Sequence, residues 1–593
     1  MIACHENPEG CFAVLKPNNF EAKAAFEAVC EDMDKDPQMF RHHAKFIVRQ
    51  RRPTVHLHQP VIPRTKITRD TSRGSSTESD ATKADESPTS TNRPLTIRPT
   101  TTGQMATQPV TTQFTTTHPM WEGHYAFSFK VEPQYPRIGW RAGYGRNWNK
   151  NGKGNGDVDL VLAREKVERL YSCHACFSFT RDGIMVIQAR RHASPELRVE
   201  AEDMIEGELT RALNGQRSFL LRLGPLEYIF EHIVLQDQLT KALRKGSIDK
   251  YFQSSLGWAA PIESVSASPS RRSSNEHDWI IHDIVGHTGL SIIRAAVNRR
   301  TGQAVAVKTL IRTQANGLED QEVRTYERLK EALAGIRESD RVMQLAAAVE
   351  YEYGEKVYTQ PESIKMFWTP LVRYNFNDLL PDWSGQAKVE TTRELRIVLF
   401  TQVLQGIRAL HSAGWIHRDV KPGNLGIVSL NPPAAVVIDL GQALCLADYP
   451  SQMITVTPGR GGTPGYHAPE AENIHPGYFG LPADIWSLGW VGSQMFFSGT
   501  VKHLRVNPWR SLREPEVKPD THERVEKARN VYTQRRDELA LYPLGSLERL
   551  LWDMLSVPPI RRPTAEIALG HPSLHFCGME PSPGDKRPAD FCS

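Results

Sequence analysis

A long tract that is poor in large apolar side chains divides the sequence and excludes a single continuous fold. It runs from Thr65 to Pro119 and consists mainly of Ser, Thr and Pro. Such a segment cannot bury enough apolar surface to offset the conformational entropy lost on folding. The chain has 593 residues, which is also too many for one hydrophobic core. We therefore predict a multidomain protein in which residues 65–119 are a disordered linker.

The charge balance gives little indication of partners. The chain has 72 Lys and Arg against 68 Asp and Glu, a formal net charge of +4, so direct binding to nucleic acid or membranes is not expected. Its Met1 end lacks the apolar core of a signal peptide, and no apolar run reaches the roughly 18–20 residues that span a bilayer. We expect an intracellular protein, in the nucleus or the cytoplasm. The short basic run RQRRP could be a nuclear signal or an ordinary solvated surface.

Several short runs between residues 124 and 234 alternate apolar and polar side chains, as strands with one buried face do. Polar turns separate them, which predicts a β-sandwich. Before it, residues 1–64 are expected to be a short, partly helical segment, and residues 235–277 after it a linker. The runs are Tyr125–Val131, Asp159–Ala163, His174–Phe179, Gly183–Ala189, Phe219–Gly224 and Glu227–His232.

The string IHRDVKPGN, from Ile416 to Asn424, concentrates charged and amide side chains. Asp419 can accept a proton from a hydroxyl, Lys421 can reach a phosphate in transfer, and Asn424 can hold a magnesium ion. Phosphoryl transfer needs little covalent chemistry from a protein, because catalysis rests on positioning and on neutralising phosphate charge. This string therefore predicts a phosphoryl-transfer site with Asp419 and Lys421 as catalytic residues.

Three further charged residues fit the same chemistry. Lys308, in the strand-like run AVAVKTL, is suited to the α- and β-phosphates of a nucleotide, and Asp439 ends the apolar run AAVVID. A carboxylate at Asp439 would bridge a metal ion to the β- and γ-phosphates, together with Asn424. Glu322 begins a helical pattern and is the expected partner of Lys308, with Glu327 as the alternative.

Together these motifs resemble the eukaryotic protein kinase superfamily of Ser/Thr type, over residues 278–576, with a tail at 577–593. The resemblance implies a bilobal α+β kinase fold, ATP and Mg²⁺ as cofactors, and protein substrates. It also implies that Asp484 holds the catalytic loop and that Thr463 lies in the substrate-binding loop. Three more motifs contribute to it: GTPGYHAPE with Thr463 and Glu470, ADIWSLG with Asp484, and RRPTA with Arg562, the expected partner of Glu470.

The chain departs from the family's glycine-rich loop. Only Gly286 and Gly289 stand in register before Lys308, and we expect their backbone to cover the phosphates of ATP. A pseudokinase scaffold is the alternative, because a poorer loop would weaken nucleotide binding.

Between Asp439 and Glu470, a phosphate on one of three residues could pair with Arg418 and order the segment. These residues are Ser451, Thr455 and Thr457.

The β-rich region resembles a forkhead-associated (FHA) domain. The resemblance rests on the pair Gly145 and Arg146, on the loop at Ser172, and on His174, although Tyr171 stands where the family usually has Ser. It implies that Arg146 and Ser172 contact a phosphothreonine and that His174 braces the loop. This order of domains resembles checkpoint kinases and implies recruitment through phosphothreonine-containing proteins. A phosphopeptide-binding adaptor, or a sandwich whose Arg146 is only exposed, remains the alternative.

Overall fold

The computed structural model describes most of the two predicted domains. The predicted linker at 65–119 and the tail at 577–593 lie outside the described residues. Contacts between residues divide the chain into two units. One unit consists of Met1–Val48 together with Gly123–Ser593, and the other is Arg49–Glu122. The described residues are 10–51, 121–145, 158–189, 197–199, 202–203, 210–235, 238–261, 274–276, 278–287, 291–311, 318–351, 363–381, 385–449, 454–455, 462–463, 465–472, 478–497, 530, 533–534 and 536–575.

Two β-sheets form an all-β region ahead of the kinase-like segment. One sheet has the order β2-β3-β1-β12-β11-β8-β9 and the other β10-β7-β6-β4-β5. Aromatic side chains fill the space between them, such as Phe127 and Phe177 with ring centroids 5.0 Å apart. The strands are β1 (Cys11–Pro17), β2 (Ile47–Arg51), β3 (Trp121–Ser128), β4 (Trp140–Gly143), β5 (Leu160–Val161), β6 (Ala175–Phe179), β7 (Met185–Ala189), β8 (Leu197–Val199), β9 (Glu202–Asp203), β10 (Thr210–Ala212), β11 (Ser218–Leu223) and β12 (Leu226–His232).

The sandwich extends beyond residues 124–234 at both ends. Strand β1 pairs antiparallel with both β12 and β3, so part of the expected N-terminal segment lies inside the sheet. Helix α1 (Phe20–Lys35) begins where Asn19 caps the Ala22 N–H at 2.9 Å, and Phe26 packs edge-on against Tyr125. Strands β1 and β12 are more than two hundred residues apart, so no local sequence pattern indicates that they pair. Local patterns therefore assign residues 1–64 and the sandwich to different regions.

The expected linker at 235–277 likewise begins as ordered structure. Helix α2 (Gln238–Lys250) leads directly into a π-helical turn, Tyr251–Leu256. Tyr251 is 2% exposed and stacks on Trp140, with ring centroids 5.9 Å apart. This part of the expected linker therefore completes the aromatic core of the sandwich.

The kinase-like segment has a sheet-rich lobe and a helix-rich lobe. The first sheet has the strand order Ser274–Glu276 (β13), Trp279–His287 (β14), Ile292–Asn298 (β15), Ala304–Ile311 (β16), Ser363–Thr369 (β18) and Gln344–Tyr351 (β17). Helix α4 (Arg393–Ser412) begins where the Thr392 side chain accepts from the Leu395 N–H, and its apolar face is buried in the second lobe. This sheet and helix content fits a bilobal kinase fold.

The sheet-rich lobe contains β13 (Ser274–Glu276), β14 (Trp279–His287), β15 (Ile292–Asn298), β16 (Ala304–Ile311), α3 (Leu318–Leu333), β17 (Gln344–Tyr351) and β18 (Ser363–Thr369). The remainder contains β19 (Tyr374–Asn375), α4 (Arg393–Ser412), β20 (Trp415–Ile416), β21 (Leu425–Leu430), β22 (Pro433–Val437), β23 (Leu444–Cys445), β24 (Ile454–Thr455), β25 (Tyr478–Phe479), α5 (Pro482–Phe497), α6 (Leu547–Met554) and α7 (Ala565–Leu569).

The turn between β15 and β16 packs directly against the sandwich. Gly302, at φ +69°, leaves no space for a side chain, because a Cβ there would lie 2.6 Å from Val186 Cγ1. Asp182 Oδ2 accepts a hydrogen bond from the Ala304 N–H at 2.8 Å. An apolar cluster surrounds this contact and includes Leu371, which follows β18. The cluster consists of Ile184, Val186 and Ala212 from the sandwich and Ala295, Val297, Ala304 and Leu371 from the kinase-like segment.

Within the ranges that the structure describes, no helix combines the length and the apolar character that crossing a membrane would need.

Candidate active site

Lys308 and Glu322 form an ion pair between a strand and a helix of the sheet-rich lobe. Lys308 lies on β16, where it is opposite Ile293 and Met366 in the two neighbouring strands. Its Nζ is 2.6 Å from Glu322 Oε1 on α3, and both side chains are mostly buried. Glu327, the alternative partner, is exposed. The pairing leaves the Lys308 ammonium oriented and only partly solvated, as a phosphate-binding cation requires.

Asp419 lies at the centre of a hydrogen-bonded loop. Its Oδ2 accepts from Lys421 Nζ at 2.8 Å and from Asn424 Nδ2 at 2.9 Å. Its Oδ1 is buried and has no hydrogen-bond partner among the described residues. A buried carboxylate oxygen without a donor is costly. Oδ1 can therefore still accept a hydrogen bond from a further donor.

Asp484 on α5 holds the loop that carries Asp419 by accepting hydrogen bonds from its backbone. Asp484 Oδ1 and Oδ2 accept from the backbone N–H groups of Arg418 and His417 at 3.0 and 2.8 Å, and His411 Nε2 lies 3.0 Å from Oδ2. Burial alone would raise the pKa of Asp484, but the hydrogen bond and charge of His411 lower it overall. The carboxylate therefore stays ionised and fixes the loop. His411 is a supporting residue that the sequence did not reveal, since it is distant in sequence.

Asn424 and Asp439 supply oxygen atoms suited to a magnesium ion. The amide nitrogen of Asn424 donates to Asp419 at two oxygens, 2.8 Å from the carbonyl and 2.9 Å from Oδ2. The amide oxygen is thereby the ligand atom that remains. Asp439 adopts φ +59°, a strained conformation for a residue with a side chain, of the kind that clusters at active sites. One amide and one carboxylate oxygen match the few protein ligands that Mg²⁺ takes beside phosphates and water.

Thr463 contacts the loop that carries Asp419 through Lys421. Its Oγ1 accepts from Lys421 Nζ at 2.7 Å, so one ammonium group joins Asp419 and Thr463. Gly462, at φ +74°, comes so close to the catalytic loop that a Cβ would lie 2.7 Å from the Arg418 carbonyl oxygen. Glycine is required at this contact because any side chain would separate the two loops.

The Glu470–Arg562 pair anchors the end of the same segment. Arg562 Nη2 donates to Glu470 Oε2 at 2.7 Å, and its Nε donates to the Ser556 carbonyl at 2.7 Å. Arg562 also lies over the ring of Trp486. A buried two-point pair of this kind has an architectural role.

The glycine loop is only partly described. Gly286 lies in β14 opposite Ile293, and the nearest atom to a Cβ built on it would be 3.9 Å away. Its position alone does not require glycine. Gly289, Ser451 and Thr457 lie outside the described residues, and of Thr455 only the backbone, in β24, is described. Roles in covering phosphates or in control by phosphorylation therefore stay predictions for these residues.

Ser172 and His174 lie in the loop of the sandwich that leads from β5 into β6. The Gly145 N–H donates to the Ser172 carbonyl at 2.8 Å, and the Tyr171 N–H donates to His174 Nδ1 at 3.3 Å. His174 is completely buried, so it braces the loop from inside. Arg146 lies outside the described residues, and phosphothreonine binding stays a prediction.

Comparison with known proteins agrees with this geometry. Residues 279–574 match the family model described as the protein kinase domain. The chain is 28% identical over 307 residues to mitogen-activated protein kinase 13 of Homo sapiens, which covers 49% of this chain and 76% of that protein. It is 26% identical over 312 residues to the phosphorylase b kinase gamma catalytic chain, liver/testis isoform, of Bos taurus, covering 50% of this chain.

Residues 279–574 are therefore a protein kinase domain of the serine/threonine class. The match covers 66% of the Bos taurus protein. It covers 17% of another relative, eukaryotic translation initiation factor 2-alpha kinase 3 of Rattus norvegicus, at 26% identity over 216 residues, or 35% of this chain.

Proposed function

We propose that the protein transfers a phosphoryl group from ATP, with magnesium, to Ser and Thr hydroxyls of other proteins. The observation that best supports this is Asp419 Oδ1, a buried carboxylate oxygen without a donor among the described residues. It lies beside Lys421, whose ammonium contacts both Asp419 and Thr463. A substrate hydroxyl at this position would complete the hydrogen bonds of Asp419.

Each charged group then has a distinct task. Asp419 orients the hydroxyl and accepts its proton, while Lys421 neutralises charge on the phosphate in transfer. Lys308, aimed by Glu322, holds the α- and β-phosphates. Asn424 and Asp439 would hold Mg²⁺, which neutralises the β- and γ-phosphates when bound.

The test is phosphate incorporation from labelled ATP into a protein or a peptide library at millimolar ATP and magnesium. We expect Asp419→Asn to lower the rate on the order of 100-fold or more, as loss of a general base does. Asp537→Asn is a matched control, because Asp537 is an exposed aspartate on the same lobe. The library also reports which residues around Ser or Thr the enzyme prefers.

A pseudokinase scaffold predicts a different outcome. Wild-type protein would then incorporate no more phosphate than Asp419→Asn, even where nucleotide binding is detected by a shift in melting temperature. That result would exclude catalysis and leave a role in binding.

We also propose that the loop end of the sandwich recognises phosphothreonine and recruits protein partners. The support is the braced loop at Ser172 and His174, together with its position. Strand β6 runs from this loop to Thr180, where the kinase domain is in contact, a distance of about 20 Å at the usual rise per residue. The loop end is therefore remote from that contact.

Peptide pulldown tests this recognition. We expect the wild-type protein to retain phosphothreonine peptides over unphosphorylated ones, and Arg146→Ala to lose that preference because the guanidinium provides paired donors to phosphate. Equal retention of both peptides by the wild type would exclude it. Arg217→Ala, at an exposed arginine on the sandwich, controls for general charge.

A further inference from the structure

Tyr326 lies on α3 one helical turn after Glu322, and its hydroxyl reaches the Lys308–Glu322 pair. Residues four apart lie on the same face of a helix. Tyr326 is 3% exposed, and its hydroxyl lies close enough to Glu322 for the carboxylate to raise the pKa of the phenol. The Glu322 carboxylate thus has two donor groups beside it, the ammonium of Lys308 at 2.6 Å and this phenol.

The same hydroxyl faces the start of the segment after Asp439. A Cβ on Gly441 would lie 3.4 Å from Glu322 Oε1, 3.5 Å from Asp439 Oδ1 and 3.6 Å from the Tyr326 hydroxyl oxygen. Three oxygen atoms, two from α3 and one from the segment after β22, therefore converge on one backbone position. Two of them are carboxylates, so the phenol is the hydrogen-bond donor among the three.

The ring of Tyr326 is fixed by Trp368 at the end of β18. Their ring centroids are 4.2 Å apart at 64°, an edge-to-face contact, and Trp368 is 3% exposed. Burial, and then the charges of Glu322 and Asp439, raise the pKa of Tyr326, so the hydroxyl keeps its proton. The packed ring holds this donor in one place.

We propose that Tyr326 is a positioning residue for nucleotide binding: its hydroxyl holds the Glu322 carboxylate in the orientation that pairs with Lys308. Without the hydroxyl, Glu322 keeps one donor and gains rotamer freedom, so Lys308 is aimed less well at the phosphates. This inference rests on the proposed kinase function, since it concerns the same nucleotide site.

Tyr326→Phe tests the hydroxyl alone, because phenylalanine keeps the ring and its contact with Trp368. We expect the dissociation constant for ATP with magnesium, measured by calorimetry, and the KM for ATP to rise on the order of tenfold, as loss of a hydrogen bond to a charged group does. The turnover number should change much less. Tyr228→Phe, at a completely buried tyrosine of the sandwich, is the matched control and should bind ATP as the wild type does.

A double-mutant cycle with Glu322→Ala, which removes the acceptor, separates positioning from packing. If the hydroxyl acts through Glu322, adding Tyr326→Phe to Glu322→Ala should weaken ATP binding further by less than twofold. Unchanged ATP affinity in Tyr326→Phe, or an equal loss in both backgrounds, would overturn the proposal. A wild type that binds ATP but transfers no phosphate would refute the proposed kinase function alone, because the binding cycle still decides the role of Tyr326.

Discussion

The sandwich and the kinase domain each bury an aspartate, but only one of the two has its hydrogen bonds filled. In the sandwich, Asp159 is completely buried and accepts from the Gln134 N–H at 2.8 Å, the Arg141 N–H at 3.0 Å and His42 Nε2 at 3.0 Å. In the kinase domain, both donors to the Asp419 side chain bond to Oδ2. The Asp159 carboxylate is therefore saturated by groups of its own fold, whereas the Asp419 carboxylate keeps an oxygen that can still accept a hydrogen bond.

The largest effect on stability is expected from Asp159→Ala. The substitution leaves the Gln134 and Arg141 N–H groups without their acceptor inside the sandwich, and removing one partner of a buried charged network costs about 3–5 kcal/mol. Calorimetric unfolding of the full chain measures the loss, and hydrogen exchange at β4 should locate it. A loss of less than about 1 kcal/mol in the free energy of unfolding would mean that Asp159 does not support the fold.

A pH effect comes next and should arise mainly in the sandwich. Burial lowers the pKa of His43 and of His232 from 6.5 to about 4, so the unfolded chain binds protons that the folded chain does not. Stability is therefore complete above pH 6.5 and is lost as pH falls from 6.5 to 4, by roughly 3 kcal/mol for each histidine. Replacing His232 by Phe should flatten the curve of melting temperature against pH. An unchanged slope would contradict this assignment.

Gly302→Val probes the contact that joins the two regions. Valine is strained at φ +69° and would meet Val186, so we expect about 2 kcal/mol of destabilisation from strain and overpacking. Proteolysis at the β15–β16 turn should become faster. Gly335→Val is the control, because it has a similar φ of +78° but open space around its Cβ position. Equal losses in both variants would attribute the effect to the backbone alone.

The smallest effect on stability is expected from Asp419→Asn. Because Oδ1 has no donor to lose, we expect the free energy of unfolding to stay within about 1 kcal/mol of the wild type, or to rise, as at many active sites. Calorimetry beside Asp159→Asn makes the comparison direct. A loss of stability in Asp419→Asn as large as in Asp159→Asn would mean that the two carboxylates have the same structural role.

Local motifs carried most of what could be predicted about the kinase site. Asp419, Lys421 and Asn424 lie in one short loop, so their mutual hydrogen bonds follow from a few backbone angles. Lys308 and Glu322 are close in sequence and lie on a strand and the helix that follows it. The family model of the protein kinase domain matches residues 279–574.

Contacts between distant segments could not be predicted in this way. Strand β1 meets β12 across more than two hundred residues, as in the pairing of Ala13 with His232. His411 reaches Asp484 from another helix. No short window contains both partners, because such pairs form only when the whole chain condenses.

The residue types needed to transfer a phosphoryl group are few and closely spaced, so the amino-acid sequence was sufficient to predict the class of chemistry. The support of those residues depends on the fold. Packing brings the Tyr326 hydroxyl beside Glu322, sets the β15–β16 turn against the sandwich and leaves Asp419 Oδ1 without a donor among the described residues. The physical reason is that side-chain chemistry is local, whereas burial and hydrogen-bond saturation depend on which distant segments pack together.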